Sequence, residues 1–297
     1  MATKKKGVAR PPRAAVGKKQ PSVEAPGFRP IALYEFSAGG LDGQARLQDP
    51  GRGLALTGGS QGRALPARAS ETLSLRHYLC RARGGLLAPR EEAACEGKLE
   101  GNALVFRYQQ TRTWPVAAEA RYTLLRQGGV EAAFAFTPTK ALAGFEAGVG
   151  TVFADALPAV HVHCGGSWVR VAAGHGIRFY PRDLGAAELV ADGRWDALRS
   201  AGVSVNVESQ GYDYPIAVMR DEASGWALVQ MALTEDCTSL WVNAAEGSVG
   251  LCLLGDDLEA GKAVTCRMRL ALCQADRLDE ALVPYREFVQ EARAGRS

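Results

Sequence analysis

Three of the four histidines fall within fifteen residues, and two of them stand two apart in Ala159-Val-His161-Val-His163. Residues i and i+2 of an extended strand share a face, so the two imidazoles project together. Such a pair supplies either ligands for a metal ion or an acid and a base, because imidazole carries a lone pair and titrates near neutrality. His175, in Gly174-His-Gly176, is placed to join them. Two hydrogen-bonded histidines on a sheet face, with a third in a turn, would show the same spacing. The sequence fixes no carboxylate beside the three, so no metal ligand set is assigned and no cofactor is expected.

Aromatic and guanidinium groups crowd the same region: Trp168, Phe179, Tyr180 and Trp195, with Arg170, Arg178, Arg182 and Asp183. Aromatic faces stack on the C–H faces of sugars, and planar forks of donors take paired hydroxyls. The combination suits a polyhydroxylated ligand, and it equally suits ordinary core and rim. Two other candidates carry less. Glu235-Asp236 has the composition of a carboxylate pair, but neighbours on a strand point to opposite faces, and a turn is the favoured reading. The glycine-rich passage from Gly39 to Gly62 lacks G-x-G-x-x-G and the phosphate-loop lysine, and reads as turns.

The elements that must hold these residues are strands. Glu119–Leu125 alternates, Gln127-Gly128-Gly129 turns the chain, and Val130–Thr137 returns with Ala132, Phe134 and Phe136 on one face. Glu96–Arg107 reads as a hairpin about Gly101-Asn102, and in Thr72–Cys80 the side chains of Leu73, Leu75, His77 and Leu79 are predicted to share a face. Residues 225–272 read as four strands. In the last, Val264, Cys266, Met268, Leu270 and Leu272 form a core face, and Arg267 and Arg269 a solvated one. A short helix is predicted over Gly185–Ala191. A C-terminal helix follows from apolar residues at three- and four-residue intervals between Leu278 and Ala292, with Pro284 kinking or restarting it. Short strands, glycine turns and few helices predict an all-β fold, a large antiparallel sandwich with a short C-terminal helix.

Composition bounds the rest. The 297 residues are 47% hydrophobic and 23% charged, ordinary for a globular protein. The net charge of +3 belongs to the N-terminus: residues 1–20 hold seven basic and no acidic side chains, leaving 28 basic against 32 acidic elsewhere. Residues 1–27 are expected to be a disordered basic arm and residues 28–297 a single domain. Solubilisation is the favoured role for the arm over contact with nucleic acid. No apolar run reaches the roughly 18 residues of a membrane span, and no hydrophobic stretch follows the basic start, so no membrane partner is expected. Seven scattered cysteines without a C-x-x-C read as buried reduced thiols, Cys252 and Cys266 among them, in a cytoplasmic protein.

The hairpin Glu119-Ala-Arg-Tyr-Thr-Leu…Gly129-Val-Glu-Ala-Ala-Phe-Ala-Phe resembles one found in galactose-mutarotase-like proteins, the β-supersandwich superfamily. The turn and strand Asp257-Leu-Glu-Ala-Gly-Lys-Ala-Val-Thr-Cys-Arg-Met-Arg-Leu resembles that group's last sandwich strand, and Tyr285-Arg-Glu-Phe its terminal helix. The resemblance covers about residues 70–290 and is one of pattern. Family members that interconvert sugar anomers use a histidine as general acid and a glutamate as general base. Val205-Asn-Val-Glu208-Ser-Gln210-Gly-Tyr-Asp213 looks like the segment carrying that glutamate. The resemblance therefore implies Glu208 as base and His163 or His175 as acid, with His161, Trp168, Arg178, Arg182 and Asp213 contacting substrate. The family's Asn-His-x-Tyr-Phe-Asn-Leu element has no counterpart in the chain. The implied function is binding of a carbohydrate or polyol, with an isomerase of the mutarotase type as the first enzyme class and a lyase or hydrolase as the second. The alternative is a non-catalytic β-sandwich module whose basic arm contacts nucleic acid.

Overall fold

The computed structural model describes residues 33–46, 52–60, 62–81, 88–171, 177–181, 191–203, 205–208 and 211–295. These belong to one compact unit, Ala32–Ser297. The basic arm, His175, Arg182 and the helix expected over Gly185–Ala191 lie outside the described residues, except Ala191 itself.

Two nine-stranded sheets pack face to face. Strands are numbered in chain order. The first sheet runs β1 (Leu33–Ala38), β2 (Leu41–Arg46), β3 (Leu54–Gly59), β4 (Ala69–Leu79), β9 (Leu142–Phe153), β17 (Ser248–Leu258), β16 (Cys237–Asn243), β12 (Ile177–Pro181), β13 (Val205–Val207). The second runs β11 (Ser167–Val171), β10 (Ala159–Cys164), β14 (Tyr212–Arg220), β15 (Trp226–Ala232), β18 (Val264–Gln274), β8 (Gly129–Pro138), β7 (Val116–Leu125), β6 (Ala103–Tyr108), β5 (Cys95–Glu100). Pairing is antiparallel except between β12 and β13.

The alternation read from the sequence sets the inter-sheet core. Ala120, Tyr122, Phe134, Phe136, Cys266, Met268 and Leu270 of the second sheet meet Leu73, Leu75, Tyr78, Phe145, Ala147, Val149 and Leu251 of the first. Tyr78 carries the aromatic centre, with Phe136 edge-on at 5.9 Å and Phe145 at 5.2 Å between ring centroids. The hairpins about Gly101-Asn102 and Gln127-Gly128 form as predicted. Residues 225–272 do make four strands. They divide between the sheets: β15 and β18 join the second while β16 and β17 join the first.

Three short helices are present among the described residues: α1 (Pro89–Glu92), α2 (Asp196–Ser200) and α3 (Leu282–Ala294). A 3-10 turn over Leu278–Ala281 precedes α3, so Pro284 sits in a restarted first turn where its missing N–H costs nothing. Helix α3 covers the outer face of the second sheet, packing Tyr285, Phe288 and Ala292 on Ile216, Val218, Val229 and Met231. This docking corrects the expectation of a solvated arginine face on β18. Arg269 is buried, donating to Glu131 at 2.6 Å and Glu291 at 2.5 Å, with its guanidinium 4.9 Å from the Phe288 ring centroid. All seven cysteines are free thiols. No helix among the described residues is long and apolar enough to cross a membrane.

Candidate functional site

Two clusters of chemically active side chains lie on the outer faces of the two sheets. The first contains residues anticipated from sequence. On β10, Val160, Val162 and Cys164 point into the inter-sheet core, so His161 and His163 point outward together, as their spacing requires. His163 Nδ1 lies 2.6 Å from Asp213 Oδ2, on the neighbouring β14, and the same oxygen accepts the Gly166 N–H at 2.8 Å. A carboxylate only accepts, so Nδ1 carries the ring proton and the lone pair rests on Nε2, on the far side of the ring. Trp168 meets the imidazole edge-on with centroids 5.0 Å apart, and Tyr214 lies at 5.2 Å. Trp168 Nε1 donates to Asp279 Oδ1 at 2.8 Å, and Tyr214 contacts Tyr285 of α3 at 5.5 Å, so the terminal helix closes one side of the cluster. The His163 side chain is 13% exposed and that of Asp213 35%, which keeps the pair within reach of a solute.

His161 is more deeply placed. Its Nδ1 is buried without a hydrogen-bond partner, and burial first, then the Arg170 charge, hold its pKa below the ordinary imidazole value. An imidazole so placed stays neutral.

The other anticipated residues are dispersed. Glu208 follows β13 and Arg178 lies on β12, both at the edge of the first sheet, whereas His161, His163 and Asp213 stand on the second. Arg178 thus stands on a different sheet from His161 and His163. Trp195 is also separate from Trp168, since it covers the first sheet.

The second cluster was not anticipated. It occupies the outer face of the first sheet beneath α2. His77 (β4), Gly148 (β9) and Cys252 (β17) are register partners across three adjacent strands, with Glu146 two residues from Gly148 on the same face. Glu146 is 1% exposed and is enclosed by donors. Trp195 Nε1 reaches Oε1 at 3.2 Å, Thr238 Oγ1 reaches Oε2 at 3.3 Å, and the Arg194 guanidinium stands 3.7 Å from Oε2. Arg194 is itself fully buried and pairs with Asp192 at 2.7 Å. Trp241 lies 5.3 Å from His77 between ring centroids. Burial pushes the Glu146 carboxyl and the Cys252 thiol upward in pKa. Burial first, then Arg76, presses His77 down to about 3.

A kink in the strand hid this cluster. Leu73 and Leu75 face the core as predicted, but β4 shifts register between Leu75 and His77, which turns His77 and Leu79 to the outer face, against the expectation of one shared face. Cys252 is buried as expected, though against Trp195 and Trp241 outside the sandwich core. One signal was available: in Phe145-Glu-Ala-Gly-Val-Gly150 the core residues alternate with Glu146, Gly148 and Gly150, marking a face swept clear around one carboxylate.

No protein-family model matches the chain, and no curated protein matches it by sequence. Solved structures do. A candidate aldose 1-epimerase from Escherichia coli K12 is similar with a TM-score of 0.50 at 10% identity, over 82% of this chain and 99% of that one. The α-N-acetylgalactosaminidase NagBb of Bifidobacterium bifidum, in complex with Gal-NHAc-DNJ, gives 0.53 at 12% identity, over 87% of this chain and 39% of that one. A glycosyl hydrolase family 38 protein from Enterococcus faecalis gives 0.51 at 8% identity, over 86% and 32%. These are likenesses of fold. The chain shares with them an architecture of two large, packed, mainly antiparallel sheets, the all-β sandwich that the alternating strands implied.

Proposed function

We propose that this chain binds a carbohydrate or related polyol beside His163, and that His163 exchanges a proton with it. The observation carrying this reading is the 2.6 Å contact of His163 Nδ1 with Asp213, which orients a ring flanked by Trp168 and Tyr214. An oriented imidazole is a competent acid and base near neutral pH, and aromatic walls suit a sugar ring. Fold likeness to sugar-processing proteins agrees with the ligand class. Proton transfer at an anomeric centre, mutarotation of an aldose, is the first reaction to test. Glu208 stands on the other sheet, so this reading assigns the proton chemistry to His163 without it.

A non-catalytic binding module is the second reading. It is favoured by Asp213 also accepting the Gly166 N–H, which lets the same carboxylate simply pin the β10–β11 turn. Magnetisation exchange between sugar anomers, followed by NMR with the wild type and His163→Gln, separates the two. Enzyme-dependent exchange lost in the variant supports the catalytic reading. Ligand-induced shifts at Trp168 without exchange support the module. No response to any aldose or polyol overturns both.

A further inference from the structure

The cluster on the first sheet has donors of three kinds converging where no sugar chemistry has been assigned. His77, Glu146 and Cys252 each offer one ligand atom, and these atoms all lie within 4.8 Å of one another. Tetrahedral zinc, with bonds of about 2.0–2.3 Å, holds its ligand atoms roughly 3.3–3.8 Å apart. Side-chain rotation of about 1 Å therefore closes the set. We propose that His77, Glu146 and Cys252 form a binding site for a divalent transition-metal ion of the zinc class.

Four observations support the assignment. First, His77 Nε2 is buried with no hydrogen-bond partner, a cost that a metal bond would remove. Second, the backbone is cut to fit. A Cβ on Gly148 would lie 2.2 Å from His77 Cε1 and 2.3 Å from Nε2, so only glycine lets the imidazole cross β9 toward Cys252.

Third, the charges balance. Of the three ligands, the carboxylate and the thiolate supply the two negative charges that offset a dication. Binding releases the Cys252 thiol proton, and any proton held by Glu146, to solvent, with no redox change. Fourth, the carboxylate has an outer shell: Trp195 Nε1 and Thr238 Oγ1 donate to its oxygens and fix their direction. A mixed imidazole, carboxylate and thiolate set selects zinc, cobalt or a similar ion over magnesium and calcium, which take oxygen ligands. Three protein ligands leave a fourth position for water or an exogenous donor.

The test uses the full chain, stripped with chelator and titrated with Co²⁺. The expected result is one equivalent bound per chain, with a near-ultraviolet thiolate-to-cobalt charge-transfer band and visible bands of four-coordinate cobalt, all bleached by Zn²⁺. Cys252→Ser is expected to abolish the charge-transfer band and weaken zinc by more than about a hundredfold in chelator competition. His77→Gln, at the partly exposed corner of the site, keeps the test available should the buried serine prevent folding. It is expected to retain the charge-transfer band, shift the visible bands and weaken zinc by a similar factor. His163→Gln, on the other sheet, is expected to bind cobalt as the wild type does, which keeps this outcome separate from that of the sugar site. Absence of a charge-transfer band in the wild type, or its survival undiminished in Cys252→Ser, would overturn the proposal.

Discussion

The imidazole of His77 occupies the space that a side chain on Gly148 would fill, with Cε1 2.2 Å from the position of a Cβ there. The same device recurs one step along the sheet. The Trp241 ring lies over Gly250, where a Cβ would stand 2.0 Å from Cζ2, and over Gly150 at 2.9 Å. Glycines on β9 and β17 thus form a floor on which two aromatic rings lie side by side, and that floor brings His77 toward Cys252.

Gly148→Ala should destabilise the protein by about 1–3 kcal/mol, as overpacking does in a closed core. Removing the imidazole should return part of the loss, so His77→Ala with Gly148→Ala should be less destabilising than the sum of the two singles. A double-mutant cycle in urea measures the coupling, and strict additivity would show that the ring and the glycine do not share the space.

His161 supplies a pH test. Its folded-state pKa is lowered, mainly by burial and next by Arg170, with Glu222 opposing and Arg220 adding to the effect. The unfolded chain therefore takes up a proton that the native state refuses. Stability from this group is present above the unfolded value of about 6.5 and declines as pH falls through the folded one. His161→Phe, which also removes the orphaned Nδ1, should flatten the loss of stability below about pH 6.5. Parallel denaturation curves for the two proteins at every pH from 7.5 to 5 would refute this.

Arg269 joins β18 to β8 through Glu131 and to α3 through Glu291. Arg269→Ala should cost about 2 kcal/mol, less than a fully buried pair because Glu131 retains Arg267. The helix should loosen first, and hydrogen exchange along residues 282–294 should rise before that of β18. Uniform exchange through both elements would argue that α3 is held by its apolar face alone.

Asp213→Asn should leave stability within about 1 kcal/mol, since the carboxylate is a third exposed. Its effect belongs to the ring. With an amide that can donate as well as accept, the Nδ1–H tautomer of His163 loses its preference, and ¹⁵N chemical shifts of the imidazole should move toward a mixture. Unchanged ring shifts would mean that the hairpin, and not Asp213, fixes the tautomer.

The all-β architecture was legible because period-two alternation is a local property. In β7, β8 and β18 each side chain's face follows from its neighbours, and the structure agrees residue by residue at Tyr122, Phe134, Cys266 and Met268. The helix restart at Pro284 was local too. His161 and His163 sharing a face followed from their spacing alone, and the turn at Glu235-Asp236 from their adjacency.

Partnership between strands is not local, and there the reading diverged. Nothing in Ser248–Leu258 or Val264–Gln274 states that one joins the first sheet and the other the second. That choice comes from pairing with β9 and β8, far upstream in the chain. Arg269 looked solvated because alternation reports a face and says nothing of the helix laid upon it. Two-faced strands, their turns and a terminal amphipathic helix all follow from local pattern. Tertiary structure decided which side chains meet. The pairing of β10 with β14 set Asp213 beside His163, and a register shift in β4 turned His77, and Leu79 with it, away from Leu73 and Leu75 toward Glu146 and Cys252. One irregular residue reverses every face beyond it, and only the partner strands hold that irregularity in place.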